Sequence, residues 1–218
     1  MIVVIAGGHG QIALHLERCL ADAGHEPVGL VRNPDHLADL AKQGARGEVV
    51  DLEKATVDQL AAAVAGADAV VFAAGAGPGS GADRKETVDR AAAALLADAA
   101  EQAGVTRYLM VSAMGTERAD PDSDDVFQVY LRAKGAADDD LRARTALDWT
   151  VVRPGRLTDD EPTGRVALGE GLDRGSVTRR DVAAVLAELL VTGAGRGRTV
   201  DLVSGKVPVE QAVAALGS

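Results

Sequence analysis

Met1-Ile2-Val3-Val4-Ile5-Ala6-Gly7-Gly8-His9-Gly10-Gln11-Ile12-Ala13 opens the chain: an apolar, largely β-branched run that breaks into glycines and then resumes with helical periodicity. β-Branched residues suit a buried strand, the glycines permit a tight turn, and the spacing that follows predicts a helix. In such a turn the backbone can come close to a pyrophosphate, while the helix start aims free N–H groups and its positive dipole end at the charge. Gly7, Gly8, His9 and Gly10, with Gln11 and Ile12 behind them, are the candidate phosphate contacts. Ala13 takes the small position where the helix must pack closely on the strand.

Working outward, further strand-like runs lie at Pro27 to Val31, Glu48 to Val50, Ala69 to Ala73, Arg107 to Ser112, Trp149 to Arg153 and Thr199 to Val203. Helical patterns fill the gaps at Gln11 to Ala23, Pro34 to Gln43, Thr56 to Ala65 and Arg84 to Ala103. Gly24, Gly44, Gly66 and Gly104 each follow one, where a left-handed terminating residue is wanted. Alternation of this kind predicts a Rossmann-type α/β fold, a doubly wound parallel sheet with its ligand crevice at the carboxyl ends of the strands. Thr178 to Asp181 reads as a capped helix start. The stretch from Gly155 to Ser176 has little regular pattern and reads as a small C-terminal substrate cap, with 154–180 facing the substrate.

The 218 residues suffice for one such domain spanning 1–218, and with aromatics at 2% the core must be Val, Leu and Ala. No apolar run reaches membrane-spanning length and no basic leader precedes the first strand, so a cytoplasmic protein without a membrane partner is expected. A net charge of −10 disfavours nucleic acid as a partner. Cys19 reads as a packed thiol. His9, His15, His25 and His36 show no ligand spacing with it or with carboxylates, so no metal is expected. The acidic loop around Asp120, Asp122, Asp124 and Asp125 lacks the glycine and glutamate of a calcium loop. Asp138, Asp139 and Asp140 read as a solvated helix face, and Arg179 and Arg180 either as solvated arginines or, for one of them, as a pocket residue that selects an acidic or carbonyl-bearing substrate.

The end of the second strand bears on which dinucleotide is bound. An NAD site usually places an acid there to accept from the ribose 2′-hydroxyl, whereas this chain has Leu30-Val31-Arg32-Asn33. Arg32 suits a 2′-phosphate, so the chemistry favours NADP(H). The glycine-rich stretch Gly75 to Ala82 reads either as a flexible spacer or as a loop folding over bound nucleotide.

Gly7-x-x-Gly10-x-x-Ala13, Leu30-Val31-Arg32-Asn33-Pro34, Val50-Asp51-Leu52, Ala73-Ala74-Gly75, Val111-Ser112-Ala113-Met114-Gly115, Val151-Val152-Arg153-Pro154-Gly155 and Val177 to Ala183 occur in that order. Over essentially the whole chain this resembles the atypical and extended short-chain dehydrogenase/reductases, particularly the small NmrA-like, NAD(P)H-binding group. The resemblance implies that Asp51 and Leu52 contact the adenine, that Ala73, Ala74 and Gly75 flank the ribose and pyrophosphate, and that Pro154 borders the nicotinamide pocket.

Tyr130-Leu-Arg-Ala-Lys134 resembles the family's Tyr-x-x-x-Lys. Four apart on a helix, the two share a face, and an ammonium beside a phenol would lower the tyrosine pKa from about 10 toward working pH. Tyr130 could then act as a general acid, with Lys134 also reaching the nicotinamide ribose as the family's lysine does. Val126, Val129, Tyr130, Ala133, Ala137 and Leu141 also form an apolar stripe in which the ring may simply pack. The third member departs from the pattern: Ala113 stands where the family places Ser or Thr, and Ser112 precedes it on the opposite strand face. The candidate catalytic residues are Tyr130, Lys134 and Ser112. The expected activity is an NADP(H)-dependent oxidoreductase acting as monomer or homodimer on a small carbonyl, quinone or flavin-like acceptor. The alternatives are an NADP(H)-binding redox sensor without turnover and an NAD(P)-dependent epimerase or dehydratase.

Overall fold

A computed structural model describes residues 1–75, 77, 80–81 and 84–217. Strand β1 (Ile2–Ala6) runs into helix α1 (Gln11–Asp22), and β2 (Glu26–Val31), α2 (Leu37–Lys42) and β3 (Arg46–Val49) follow. Next come α3 (Val57–Val64), β4 (Ala69–Phe72), a wide π turn over Lys85–Ala91 that continues into α4 (Ala92–Ala103), β5 (Arg107–Val111) and α5 (Val126–Arg142). The chain closes with β6 (Asp148–Pro154), β7 (Arg156–Thr158), β8 (Arg165–Gly169), β9 (Ser176–Thr178), α6 (Arg179–Thr192), β10 (Arg198–Ser204), β11 (Val207–Pro208) and α7 (Val209–Ala214).

The main sheet has the order β11-β8-β10-β6-β5-β4-β1-β2-β3. From β3 through β10 every pairing is parallel; β8 and β11 join antiparallel at the far edge. The chain direction across the sheet reverses between β1 and β4, and a crevice opens above their carboxyl ends. Side chains alternate between two apolar layers. Val4, Val70, Phe72, Tyr108, Met110 and Val151 pack under α3, α4 and α5. Val3, Ile5, Val71, Leu109, Val152 and Val200 pack under α1, α6 and α7. Strands buried on both faces need apolar residues at successive positions, which is why β1 and β4 read as unbroken runs.

Gly24, Gly44, Gly66 and Gly104 all have φ between +74° and +79°, the left-handed geometry expected of them. Thr178 Oγ1 accepts the Asp181 N–H at 2.9 Å and starts α6 as read from the sequence. The segment from Gly155 to Ser176 requires a correction. It contains β7, which pairs with β9 in a separate two-stranded sheet, and β8, which pairs with β10 and extends the main sheet. A strand such as Arg165-Val-Ala-Leu-Gly169 is held by a partner more than thirty residues away, so no local pattern announces it.

Candidate functional site

Two glycines of the first turn are fixed by the backbone around them. Gly7 has φ +83°, and a Cβ built there would lie 2.6 Å from Ala74 Cα, so the turn rests directly on the end of β4. A Cβ at Gly8 would lie 2.6 Å from Gly29 Cα on β2, and the Gly8 N–H donates to the Leu30 carbonyl at 3.0 Å. Gly8 is thus a buried packing position below the turn. Gly10 differs: its backbone is ordinary, and a Cβ there would meet Gly7 O at 3.1 Å with no other atom closer than 3.7 Å. No side chain caps α1, so its first N–H groups are left for water or a ligand.

A cleft of about 280 Å³ lies beside this turn. Gly7, His9 and Gly10 form one wall, Ala73, Ala74 and Gly75 another, and Leu30, Val31 and Arg32 a third. Val50, Asp51, Leu52 and Glu53 floor it, with His36, Arg84 and Val88 at the rim. The donor set suits the adenosine half of a dinucleotide: apolar Val50, Leu52 and Val88 for a base, an uncapped helix start for phosphate, and two guanidiniums for further anionic charge. Of the expected phosphate contacts, Gly8, Gln11 and Ile12 lie outside the cleft lining.

The basic side chains at the rim share one carboxylate. Glu53 Oε2 is 3.0 Å from Arg84 Nη2 and 3.4 Å from Arg32 Nη1, and Thr87 Oγ1 donates to Glu53 Oε1 at 2.8 Å. The Thr87 hydroxyl, with Arg84, holds the Glu53 carboxyl below its ordinary range, against the opposing effects of burial and of the neighbouring Asp51 charge. His9 stacks on His36 with centroids 3.6 Å apart, and His9 Nε2 lies 3.1 Å from Asp39.

Toward β5 and β6 the polar groups are buried. Lys134, 3% exposed, directs its ammonium at Asp89 (3.2 Å), the Val111 carbonyl (3.1 Å) and the Ala74 carbonyl (3.3 Å), which engages all three of its donors. Asp89 is fully buried at the end of the π turn, and a Cβ on Gly75 would lie 3.3 Å from its Oδ1. One helical turn beyond Lys134, Asp138 is also fully buried and accepts from Arg153 at 2.8 Å. Burial pushes the Asp138 carboxyl up, opposed by the facing Ser112 hydroxyl and by Arg153.

This corrects two expectations. Asp138 is not part of a solvated face; the helix turns it inward while Asp139 and Asp140 remain outside. Nor is the Tyr130 pKa lowered. Burial raises it, and the negative charges of Asp89 and Asp138 raise it further, while the Lys134 charge is already matched by Asp89. Lys85 Nζ lies 5.2 Å from the centre of the Tyr130 ring. Ser112 is buried against α5, and neither it, Tyr130, Lys134 nor Pro154 lines the cleft beside the glycine turn. Arg179 and Arg180 pair with Asp159 and Glu161 at the surface. Within the stretch Gly75 to Ala82, residues 76, 78, 79 and 82 lie outside the described residues, as does residue 83, so the loop-or-spacer alternative falls there.

Glu53, Arg84, His36 and Asp89 are the neighbours that sequence reasoning missed. Glu53 alone carried a signal, as the residue next to the Asp51-Leu52 pair; the others are brought in by tertiary packing. Among the described residues no group of three or more His, Cys, Asp or Glu could hold a metal ion, and no helix is long and apolar enough to cross a membrane.

Residues 7–192 match a family model described as NAD(P)H-binding. The chain is 34% identical over 214 residues to the uncharacterized sugar epimerase YhfK of Bacillus subtilis, covering 98% of this chain and 99% of that one. A solved structure of a candidate NAD-dependent epimerase/dehydratase from Bacillus halodurans superposes with a TM-score of 0.91 at 39% identity, covering 99% and 100% of the two chains. The oxidoreductase ylbE of Lactococcus lactis superposes with a TM-score of 0.85 at 26% identity, covering 99% and 96%. The glycine turn at the reversal point of the sheet, the cleft beside it and a match over most of the length lead to one assignment: this chain belongs to the NAD(P)H-binding family.

Proposed function

We propose that the protein is an NADP(H)-dependent oxidoreductase that passes hydride to a quinone or flavin-like acceptor. The phosphate choice is supported by Arg32 in the cleft and by the absence of an acid at the end of β2. Bound NADPH supplies the hydride. The chain's part is to hold the nucleotide: the Gly7 to Gly10 turn and the start of α1 receive the pyrophosphate, Leu52 and Val50 flank the base, and the 154–180 segment borders the acceptor.

One observation carries the choice of acceptor. Lys134 is engaged by Asp89 and two carbonyls, and burial opposes ionisation of the Tyr130 phenol, so among the described residues neither member of the Tyr130–Lys134 pair is poised to give up a proton. A quinone or flavin can take hydride and draw its proton from water, whereas a ketone depends on a positioned acid. The same observation counts against an epimerase that works through Tyr130 phenolate, although the names of the two Bacillus relatives support that second reading.

The experiment is calorimetric titration with NADPH and NADH, followed by a screen of quinones, flavins, aldehydes and ketones for NADPH oxidation. NADPH should bind more tightly, Arg32→Ala should remove most of the difference, and quinones or flavins should be reduced. Equal affinities would overturn the NADP choice. Reduction confined to ketones would overturn the acceptor class, and tight binding without any turnover would favour a sensor.

A further inference from the structure

The carboxylate of Glu53 occupies the place between Arg32 and Arg84 where an added phosphate would be bound. We propose that Glu53 is the residue that sets the preference between the two nicotinamide dinucleotides, acting as a resident anion that a 2′-phosphate must displace. The inference rests on the reading of the cleft as the adenosine site.

Three observations carry it. First, Arg32, Glu53 and Arg84 all line the cleft, and they come from the end of β2, the segment after β3 and the start of the π turn. One carboxylate oxygen bridges the two guanidiniums. Second, the cluster is accessible: the side chains of Arg32, Arg84 and Glu53 are 58%, 37% and 24% exposed. A displaced Glu53 carboxylate can therefore turn to water at little cost, unlike a buried acid. Third, Thr87 donates to the other Glu53 oxygen, so rotation about the Thr87 contact frees both arginines without breaking every bond the carboxylate makes.

The charges make the switch selective. A phosphate dianion between two guanidiniums takes up charge-assisted, bidentate hydrogen bonds that a monoanionic carboxylate only partly supplies. With a ribose that carries only hydroxyls, nothing competes with Glu53; it keeps both arginines and can accept from a hydroxyl. Asp51 lies next to this site, but its Oδ1 accepts from the Glu53 N–H at 3.1 Å and its Oδ2 is 3.4 Å from Lys54, so it remains engaged in either state. Arg84 thus belongs to the phosphate subsite, and the presence of Glu53 keeps the preference for NADP(H) moderate.

The test uses nucleotide fragments that lack nicotinamide, so that binding is read without turnover. Adenosine 2′,5′-bisphosphate and 5′-AMP are titrated calorimetrically into the wild-type protein and the variants Glu53→Gln and Arg84→Met. The ratio of their affinities should favour the bisphosphate in wild type, widen by about tenfold in Glu53→Gln and shrink by about tenfold in Arg84→Met. A ratio that neither variant changes, with 5′-AMP still bound, would overturn the role of Glu53 and leave the cleft's identity intact. Failure of wild type to bind either fragment would instead overturn the adenosine-site reading itself, and this inference with it.

Discussion

Glu53 and Asp89 are both carboxylates paired with basic side chains beside the same edge of the sheet, at 3.0 Å from Arg84 and 3.2 Å from Lys134. The first pair is 24% and 37% exposed, the second 0% and 4%. Water and salt screen the first, so its partners can be exchanged for a ligand at small cost; the second sits where a lone charge is expensive. The glycine-turn end of the crevice is therefore built from replaceable contacts, and the β5–β6 end from contacts that hold helix, strand and π turn together. A motif residue such as Lys134 belongs to the second group whatever chemistry it also serves.

The sharpest way to break this contrast is to remove one cation from each pair. Lys134→Met removes the buried ion pair with Asp89, and a cost of about 3–5 kcal/mol in unfolding free energy is expected. Arg84→Met should cost no more than about 1 kcal/mol, because its pair is exposed and Glu53 keeps Arg32 and Thr87. Urea unfolding followed by circular dichroism measures both. Similar losses for the two variants would mean that exposure does not separate the two ends.

Glu17 sharpens the comparison from the other side, since it is a fully buried acid beneath the glycine turn. Its carboxyl packs under the turn: Oε1 would lie 3.1 Å from a Cβ on Gly8 and 2.5 Å from one on Gly29. No hydrogen bond to either carboxyl oxygen is present among the described residues, and burial lifts the pKa from 4.5 to about 8. In the folded chain the proton stays on until about pH 8, whereas the unfolded chain releases it near 4.5. Stability from this group is fully present below the unfolded value and declines as pH rises through the folded one. Between those limits a loss of roughly 5 kcal/mol is expected, and Glu17→Gln should flatten the profile. Unfolding curves from pH 5 to 9 decide the matter; an unchanged slope in the Gln variant would show that Glu17 is ionised and solvated in the native state.

How legible these features were follows from the range of the interactions that make them. Gly24, Gly44, Gly66 and Gly104 could be read because a helix end is a local event, decided by residues within one turn. Alternation of strands and helices gave the doubly wound parallel sheet and its crevice at the carboxyl ends of the strands. Asp138 could not be read: in a run of three aspartates, only the rotation of α5 against Arg153 on β6 decides which one is buried. Glu53 and Arg84 lie 31 residues apart, Asp89 and Lys134 lie 45 apart, and neither pair has a spacing that a helix or strand would bring together. The Tyr130 to Lys134 spacing places both on α5, but burial of the phenol, and then the acid that faces the lysine from another element, reversed the expected effect on Tyr130.

The smallest effect expected is at Tyr130, and it tests whether the β5–β6 end does acid chemistry at all. Burial, then Asp89 and Asp138, raise the Tyr130 pKa, so the phenol stays protonated across the working pH range and contributes no inflection to a pH profile. Its ring lies 6.0 Å from that of Phe127 and 5.2 Å from the Lys85 ammonium, and Tyr130→Phe keeps these ring contacts while deleting one hydroxyl. If the acceptor draws its proton from water, NADPH affinity and quinone or flavin turnover should each change by less than about threefold, against the 10²- to 10⁴-fold loss roughly typical of a removed general acid. Steady-state rates of the Phe variant on any acceptor found in the screen provide the measurement. A hundredfold fall in kcat with an unchanged Kd for NADPH would make Tyr130 the proton donor. It would also require Lys134 to leave Asp89 when nucleotide is bound, giving up at the β5–β6 end the rigidity that its burial implies.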